Sequence, residues 1–160
     1  MQSAFLLLGT NLGDRSFHLR QGREKLRHIG ELKAASGVYV TAPWGFTDQP
    51  EFWNQAVELL TNLSPEDLLG AIKKIEEECG RSEQVRWGPR ELDIDILAYG
   101  DCVVDTDTLK IPHPRLGERR FALIPFNEIA KSWRHPLTGK SISDLLIECT
   151  DPLSVTPLNS

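Results

Sequence analysis

The order of strand-like and helix-like segments in this 160-residue chain predicts an α+β fold with a ferredoxin-like core. The segments follow one another as strand, helix, strand, strand, helix, strand, and the helical segments carry apolar residues at helical spacing. This order is typical of a mainly antiparallel sheet with helices packed on it, in α-β-α layers. The length and the 40% hydrophobic content suit a single domain over residues 1–160.

The first strand and helix are predicted from the apolar run at residues 4–8 and from the helical spacing that follows. Residues 9–14 form a turn, in which Asn11 and Asp14 are candidate helix caps. The turn holds two glycines between a strand and a helix but lacks the lysine and the spacing of a phosphate-binding loop, so we interpret it as a capping turn. The helix is expected to end at Gly30.

The middle of the chain predicts two further strands joined by a loop. Residues 34–42 are rich in β-branched and aromatic side chains, and residues 55–63 alternate apolar with polar ones. The loop over 43–50 contains Pro, Gly and Asp.

The second helix has the clearest start and stop signals. Ser64 suits the N-cap, Pro65 the first helical position, and Gly80 the position after the last turn. After a polar loop come the remaining predicted elements: a strand at 92–99, extended pieces at 102–104 and 109–111, a partly helical segment at 121–129, a hairpin at 133–140 and a last helix at 141–147.

Charge and cysteine content exclude some classes of function. The net charge of −5 argues against a broad basic surface for nucleic acid. Cys79, Cys102 and Cys149 are too far apart for metal-ligand spacing, and their odd number does not suggest a disulfide framework. No apolar run reaches membrane-spanning length. We therefore expect reduced thiols, a cytoplasmic location, and neither nucleic acid nor membrane as a partner. A monomer is also expected, although none of these features determines the oligomeric state.

The most informative pattern is a pair of aspartates alternating with apolar residues. Side chains on a strand alternate between faces, so the isoleucines would enter the core while Asp93 and Asp95 emerge together, about 6–7 Å apart. Two carboxylates on a half-buried surface repel each other, and magnesium, which accepts one or two carboxylates together with phosphate oxygens, would remove that repulsion. The alternative is an exposed pair that forms salt bridges with Arg86 and Arg90.

Two basic clusters flank this strand in the sequence. Guanidinium groups match phosphate oxygens, so arginines beside carboxylates favour a magnesium–polyphosphate site. His113 could donate a hydrogen bond to phosphate. A solvated basic loop is the alternative, and we expect Arg115 and Arg120 to be surface charges. The clusters comprise Arg81, Arg86 and Arg90 before the aspartates and Lys110, His113, Arg115, Arg119 and Arg120 after them.

Aromatic residues concentrate in turns rich in glycine and proline. Core packing is the default for any single aromatic residue. Trp44 and Trp87, however, lie in such turns, where flat rings suit stacking on a heterocycle. Asn54 offers two donors and an acceptor for the edge of that heterocycle.

The run Arg86-x-Gly88-Pro89-Arg90-x-x-Asp93-Ile94-Asp95-Ile96-Leu97 resembles the signature of the 6-hydroxymethyl-7,8-dihydropterin pyrophosphokinase family. The resemblance extends over nearly the whole chain, through Gly9-Thr10-Asn11-Leu12-Gly13, Asp48-Gln49-Pro50-x-Phe52-x-Asn54, Ile111-Pro112-His113 and Arg119-x-Phe121. It implies an enzyme of folate biosynthesis that transfers diphosphate from ATP to a dihydropterin alcohol, giving AMP and the pterin diphosphate. It also implies two magnesium ions as cofactors.

The resemblance further implies a role for individual residues. Asp93 and Asp95 would bind magnesium and, with Arg81 and Arg90, form the catalytic group. The implied ATP-binding residues are Leu69, Glu76, Arg81, Arg86, Trp87, Arg90, Ile96, Thr108, Lys110, His113 and Arg119. The implied pterin-binding residues are Thr41, Ala42, Trp44, Phe52, Asn54, Trp87, Asp93, Asp95 and Phe121.

Two other functions fit parts of the pattern. A two-metal phosphodiesterase or nuclease could use Asp93 and Asp95, although the acidic net charge argues against it. A ferredoxin-like module that binds a nucleotide or RNA without chemistry would carry its aromatic residues on the sheet face, whereas here they cluster in loops.

Overall fold

A computed structural model of the chain describes residues 1–41, 50–80 and 91–158, and the predicted strands and helices follow one another in these residues in the expected order, with the differences given below. The strands are β1 (Gln2–Thr10), β2 (Glu31–Ala35), β3 (Tyr39–Thr41), β4 (Phe52–Thr61), β5 (Asp93–Tyr99), β6 (Val104–Asp105), β7 (Lys110–Ile111) and β8 (Val155–Pro157). The helices are α1 (Arg15–Leu26), α2 (Pro65–Glu78), α3 (Arg120–Ile129) and α4 (Ile142–Glu148), with a 3₁₀ turn at Leu116–Glu118.

The main sheet has the strand order β5-β1-β4-β3-β8, and β2 pairs with β4 off this path. Every strand pair in the described sheet is antiparallel. β6 and β7 form a separate antiparallel pair. This arrangement confirms the predicted α+β class with a mainly antiparallel sheet.

Helices cover both faces of the sheet. On one face, Leu68 and other apolar residues of α1 and α2 pack in a core with Leu8 of β1. On the opposite face, Phe126 of α3 and Ile142 of α4 pack with Leu7. These two cores are the α-β-α layers expected from the sequence. None of the helices in the three described stretches combines the length and apolarity needed to cross a bilayer.

The predicted caps begin the first two helices. The Asp14 carboxylate accepts a hydrogen bond from the backbone N–H of Phe17 at 3.0 Å. The Ser64 hydroxyl accepts one from Asp67 at 3.2 Å, with Pro65 at the first helical position. Each side chain satisfies a donor that the helix itself cannot pair, which is why these helices start where the sequence predicts.

The end predicted for α1 at Gly30 is wrong, because the helix stops at Leu26. Gly30 instead lies just before β2, where a Cβ atom would stand 2.6 Å from the Leu60 carbonyl oxygen and 2.9 Å from a Leu59 methyl carbon. The glycine is required by close contact with β4 rather than by a helix terminus.

The single strand predicted over 34–42 is interrupted in the structure. Between β2 and β3, Ser36 exchanges hydrogen bonds with Ala56: its N–H donates to the Ala56 carbonyl at 2.8 Å, and its hydroxyl accepts from the Ala56 N–H at 3.0 Å. The Gln55 side chain donates to the Ser36 carbonyl at 2.7 Å. The Ser36 hydroxyl therefore takes the place of a backbone carbonyl as the acceptor for the Ala56 N–H. This interrupts the regular ladder of backbone hydrogen bonds between β2, β3 and β4.

Two further features of the sheet differ from the prediction. β1 continues through Gly9 and Thr10, which the sequence assigned to a turn, because both residues pair with β4. At the other end of the chain, β8 was not predicted, and it completes the sheet by pairing with β3.

Arg120 is not the surface charge expected from the sequence. Its guanidinium donates to the carbonyl oxygens of Cys149, at 3.0 Å, and of Asp151. The Asp151 carboxylate in turn accepts from the backbone N–H of Arg120 at 3.1 Å and of Leu153 at 2.9 Å. This clamp ties the start of α3 to the segment that leads into β8.

Candidate active site

β5, at one end of the strand order, presents the two aspartates on the sheet face covered by α3 and α4. Ile94 and Ile96 point into the opposite core with 5% and 6% of their surface exposed. Asp93 and Asp95 are half-buried, and the next residue on their face, Leu97, joins the α3/α4 core. The predicted alternation along this strand is confirmed.

Strand register extends the aspartate face toward β4. Gly9 of β1 pairs with Asp93 on one side and with Asn54 on the other. Directly opposite residues on antiparallel strands share a face, so the three residues form one row across the sheet. Neighbouring strands are about 4.8 Å apart, which separates the main chains of Asn54 and Asp93 by about 10 Å.

Arg119 lies beside the aspartates. Its Nη1 is 3.8 Å from Oδ2 of Asp95, and the two side chains are 18% and 34% exposed. Burial lowers the pKa of the Arg119 guanidinium, and the Asp95 charge partly opposes that shift. Its Nε is buried with no hydrogen-bond partner in the described part of the chain, and its Cζ lies 5.6 Å from the Phe121 ring centroid. A desolvated cation so placed is suited to bind an anion.

His113 is held near the same strand by its backbone and its ring. Its N–H donates to the Leu97 carbonyl at 2.9 Å, and its Nδ1 accepts from the backbone N–H of Arg115 at 3.1 Å. Burial, followed by the positive charges of Arg119 and Arg115, lowers the pKa of His113 to about 4. The ring is therefore neutral near pH 7, with its proton on Nε2 available to donate.

Other predicted ATP-binding residues border β5 from the α1/α2 face. Glu76 of α2 is 5% exposed and accepts a hydrogen bond from the Ile94 N–H at 2.8 Å. Leu69 is partly buried against the same core as Ile96. The predicted nucleotide residues thus flank one edge strand from both of its faces. The glutamate also supports that strand structurally, a role that sequence patterns did not indicate.

The β6–β7 pair carries two further predicted ATP-binding residues. Thr108 and Lys110 are both exposed. The Lys110 ammonium lies 2.6 Å from the Asp105 carboxylate, which lowers the pKa of that carboxyl group. This pair is solvent-exposed and so leaves the ammonium accessible to a stronger anion.

The described members of the predicted pterin set share the α3/α4 face. Thr41 pairs with Phe52, two residues along the strands from the row that contains Asn54, and its hydroxyl donates to the Ser154 carbonyl at 3.2 Å. Asn54 is 4% exposed. Phe121 is partly buried against the α3/α4 core.

The turn between β1 and α1 supports the segment that leads into β4. The Asn11 amide donates to the Pro50 carbonyl at 3.0 Å, so this residue does not serve as the cap of α1. Arg15 donates to the Glu51 carbonyl at 2.8 Å and places its guanidinium 4.7 Å from the Trp53 ring centroid. Sequence patterns did not indicate these contacts, because each joins residues nearly forty positions apart.

Several predicted residues lie outside the described parts of the chain: Ala42, Trp44, Arg81, Arg86, Trp87 and Arg90. The alternative in which Arg86 and Arg90 pair with the aspartates therefore stays open.

The Asp93–Asp95 pair has the ligand type and number that magnesium commonly uses in proteins. No group of three or more His, Cys, Asp or Glu side chains that could hold a metal occurs within residues 1–41, 50–80 and 91–158. Structural zinc sites need four such protein ligands and calcium takes six to eight oxygens, whereas magnesium commonly uses one or two carboxylates and completes its shell with water and phosphate oxygens. Two half-buried carboxylates beside Arg119 and His113 fit a magnesium-bound polyphosphate.

Comparisons with known proteins point to one family. The family model for 7,8-dihydro-6-hydroxymethylpterin-pyrophosphokinase matches residues 5–131. A 2-amino-4-hydroxy-6-hydroxymethyldihydropteridine pyrophosphokinase of Aquifex aeolicus is 43% identical over 150 residues, covering 94% of each chain. The protein of the same name from Bacillus subtilis is 43% identical over 130 residues, covering 80% of this chain and 78% of its own.

Solved structures share the fold at much lower identity. The wild-type HPPK-DHPS of Plasmodium falciparum, solved with STZ-DHP, has a TM-score of 0.73 at 17% identity. The match covers 92% of this chain but 43% of that one, so this chain spans less than half the length of that protein.

Proposed function

This chain belongs to the 7,8-dihydro-6-hydroxymethylpterin-pyrophosphokinase family, and on that premise we propose that it transfers diphosphate from ATP to 6-hydroxymethyl-7,8-dihydropterin with magnesium held by Asp93 and Asp95. The observation that carries the proposal is the shared face of β5 and β4. The carboxylate pair and the Arg119 cation lie toward one side of that face, and Asn54 lies in the same row about 10 Å from Asp93 by strand spacing. A two-ring heterocycle with a hydroxymethyl arm can span that row.

The reaction transfers one group between two oxygens. The pterin hydroxymethyl oxygen forms a bond to the β-phosphorus of ATP as the bond from that phosphorus to the α,β-bridging oxygen breaks. AMP leaves with the bridging oxygen, the pterin carries the diphosphate, and the hydroxyl proton is released. Magnesium, when bound, supplies positive charge that neutralises the phosphates and reduces their repulsion toward the incoming oxygen.

The side chains contribute position and charge. Asp93 and Asp95 provide the oxygen ligands, and an aspartate oxygen can also take up the hydroxyl proton. Arg119 and the neutral His113 ring provide donors for phosphate oxygens, and Arg81 and Arg90 are proposed to stabilise charge on the transferred group. Because phosphoryl-type transfer needs little covalent help from the protein, positioning and electrostatics account for most of the catalysis.

The remaining proposed ligand contacts divide by substrate. Asn54 reads the polar edge of the pterin with help from the backbone around Thr41 and Ala42. The ring stacks between Phe121 and the Trp44 side, with Phe52 at the pocket wall and Trp87 nearby. The nucleotide contacts are Leu69, Glu76, Arg86, Trp87, Ile96, Thr108 and Lys110, in addition to the cationic residues above.

The proposal also covers the state of the enzyme. It includes two magnesium ions, one domain over residues 1–160, a cytoplasmic location, and a monomer without nucleic-acid or membrane partners. The net charge of −5 supports the absence of a nucleic-acid partner.

Product analysis tests the reaction directly. Protein incubated with ATP, magnesium and the pterin alcohol should form AMP only when both the pterin and the metal are present. Formation of ADP, or AMP formation that does not require the pterin, would contradict the proposal.

A variant pair tests the carboxylate role. Asp95→Asn should abolish turnover and weaken magnesium binding by calorimetry while leaving circular dichroism unchanged. Asp101→Asn changes an exposed turn carboxylate and should retain full activity. Full activity in the Asp95 variant would exclude the metal role.

A further inference from the structure

Gly9 occupies the centre of the row between the proposed pterin-reading amide and the proposed metal ligands. It pairs with Asn54 on one side and Asp93 on the other. A glycine in the interior of a strand weakens it, because glycine loses more backbone entropy and offers no side chain to pack. Its presence in a central strand therefore requires a local reason.

Backbone conformation is not that reason. The glycines with positive φ in the described residues are Gly13, Gly80, Gly100 and Gly139, and Gly9 is not among them. The backbone at position 9 therefore does not require glycine, and what remains is the space that a side chain would take.

That space is already occupied by one atom. A Cβ built on Gly9 would stand 2.7 Å from Oδ1 of Asn54, whereas the next nearest atoms are Cγ of Asn54 at 3.8 Å and the Trp53 carbonyl oxygen at 4.0 Å. The first distance is well below van der Waals contact, and the other two are ordinary contacts. An added methyl group would thus conflict with the amide oxygen of Asn54 alone.

We propose that Gly9 is a positioning residue for pterin recognition, since its missing side chain lets the Asn54 amide hold the orientation that reads the heterocycle edge. This inference rests on the proposed function, in which Asn54 contacts the pterin. The conflicting oxygen is the far end of a side chain, so the amide can rotate away while the strand stays in place. Rotation displaces the donor and acceptor positions that face the ligand.

The expected result of Gly9→Ala is therefore a loss of pterin affinity with the fold retained. An amide that presents the wrong groups loses one or two hydrogen bonds, which corresponds to a drop of about tenfold to hundredfold in affinity. Binding of a non-hydrolysable ATP analogue with magnesium should change by less than about twofold, because the methyl group points toward Asn54 rather than toward Asp93.

Gly70 offers a matched control. A Cβ at this position in α2 would meet nothing within 4 Å. Gly70→Ala applies the same chemical change without a steric conflict and should leave pterin affinity, measured by calorimetry in the presence of magnesium and the ATP analogue, at the wild-type value.

A double-mutant cycle with Asn54→Ala tests whether Gly9 acts through that amide. If it does, Gly9→Ala weakens pterin binding in the wild-type background but has no further effect once the amide is removed. Thermal melts of all four proteins establish that they are folded. Asn54→Ser, with a shorter side chain, replaces Asn54→Ala in the cycle if the alanine variant unfolds.

The outcomes separate the inference from its premise. Equal pterin affinities of Asn54→Ala and the double variant support the role of Gly9. The role of Gly9 is overturned if the losses of pterin affinity caused by the two substitutions add in the double variant, or if Gly9→Ala binds pterin with wild-type affinity. Either result leaves the proposed function intact. Wild-type pterin affinity in the Asn54 variant overturns the placement of the pterin at this row and the inference together.

Discussion

The clamp formed by Asp151 links stability to the proposed site and gives a sharp test of the structure. Its carboxylate is 6% exposed and accepts hydrogen bonds from the backbone N–H groups of Arg120 and Leu153 at 3.1 and 2.9 Å. Asp151→Ala removes both acceptors and leaves the first N–H of α3 without its partner. Because Arg119 and Phe121 flank that residue, loss of the clamp should also displace two proposed ligand contacts.

The size of the effect follows from the two hydrogen bonds. Each hydrogen bond to a charged group contributes about 1.5–3 kcal/mol, and a helix-capping acceptor typically contributes about 1 kcal/mol. Partial access of water to these half-buried donors reduces the sum, so we expect the free energy of unfolding to fall by about 2–4 kcal/mol. A chain of this size loses about 2–4 °C in Tm for each kcal/mol, which gives a drop of about 4–16 °C.

Urea unfolding and calorimetric melts measure both quantities, and steady-state kinetics should show a raised KM for ATP. Asp151→Asn keeps one oxygen acceptor and should lose roughly half as much stability. Asp144→Ala removes an exposed carboxylate that accepts one backbone hydrogen bond, from the Ser141 N–H at the start of α4, and water can replace it there, so its effect should be smaller. An Asp151→Ala protein with the same Tm as the wild type would refute the structural reasoning.

Three other outcomes follow from buried groups. Phe126→Ala should lower the free energy of unfolding in urea by about 3–5 kcal/mol, because the ring is fully buried and packs against two aromatic rings at centroid distances of 5.0 and 5.2 Å. Glu76→Ala should cost about 1–3 kcal/mol in the same assay by leaving the buried Ile94 N–H without an acceptor, whereas Glu76→Gln should cost clearly less. The unliganded protein should lose stability as the pH falls from 6.5 to about 4, because the lowered pKa of His113 favours the neutral ring in the fold and protonation favours unfolding. Urea midpoints across this pH range should flatten in His113→Gln; an unchanged pH profile in that variant would assign the effect to other groups.

Local chemistry explains what could be predicted. Strand and helix periods depend on neighbouring side chains, and the caps at Asp14 and Ser64 act within three residues. Both the periods and the caps could therefore be predicted from the sequence. The same holds for Asp93 and Asp95, whose common face follows from the two-residue repeat of a strand. The family was recognisable because its signature surrounds these aspartates.

Contacts between distant residues explain what could not be predicted. Ser36 replaces a backbone partner of Ala56 twenty positions away, and Arg120 meets Asp151 thirty-one positions away. Gly30 is required by the approach of Leu60, thirty positions away, and not by the end of α1. No local period or propensity encodes such pairs.

Residue type and alternation along the chain were enough to predict the acidic pair and the helix starts, because each depends on chemistry within a few residues, and the resemblance of the chain's motifs to a known signature indicated the reaction family. The placement of Gly9 between Asn54 and Asp93, and the orientation of Arg119 toward Asp95, came from folding. The physical reason is that the register between strands and the packing between layers determine which distant side chains share a surface. A substrate binds to that surface, whose composition cannot be derived from the order of residues along the chain.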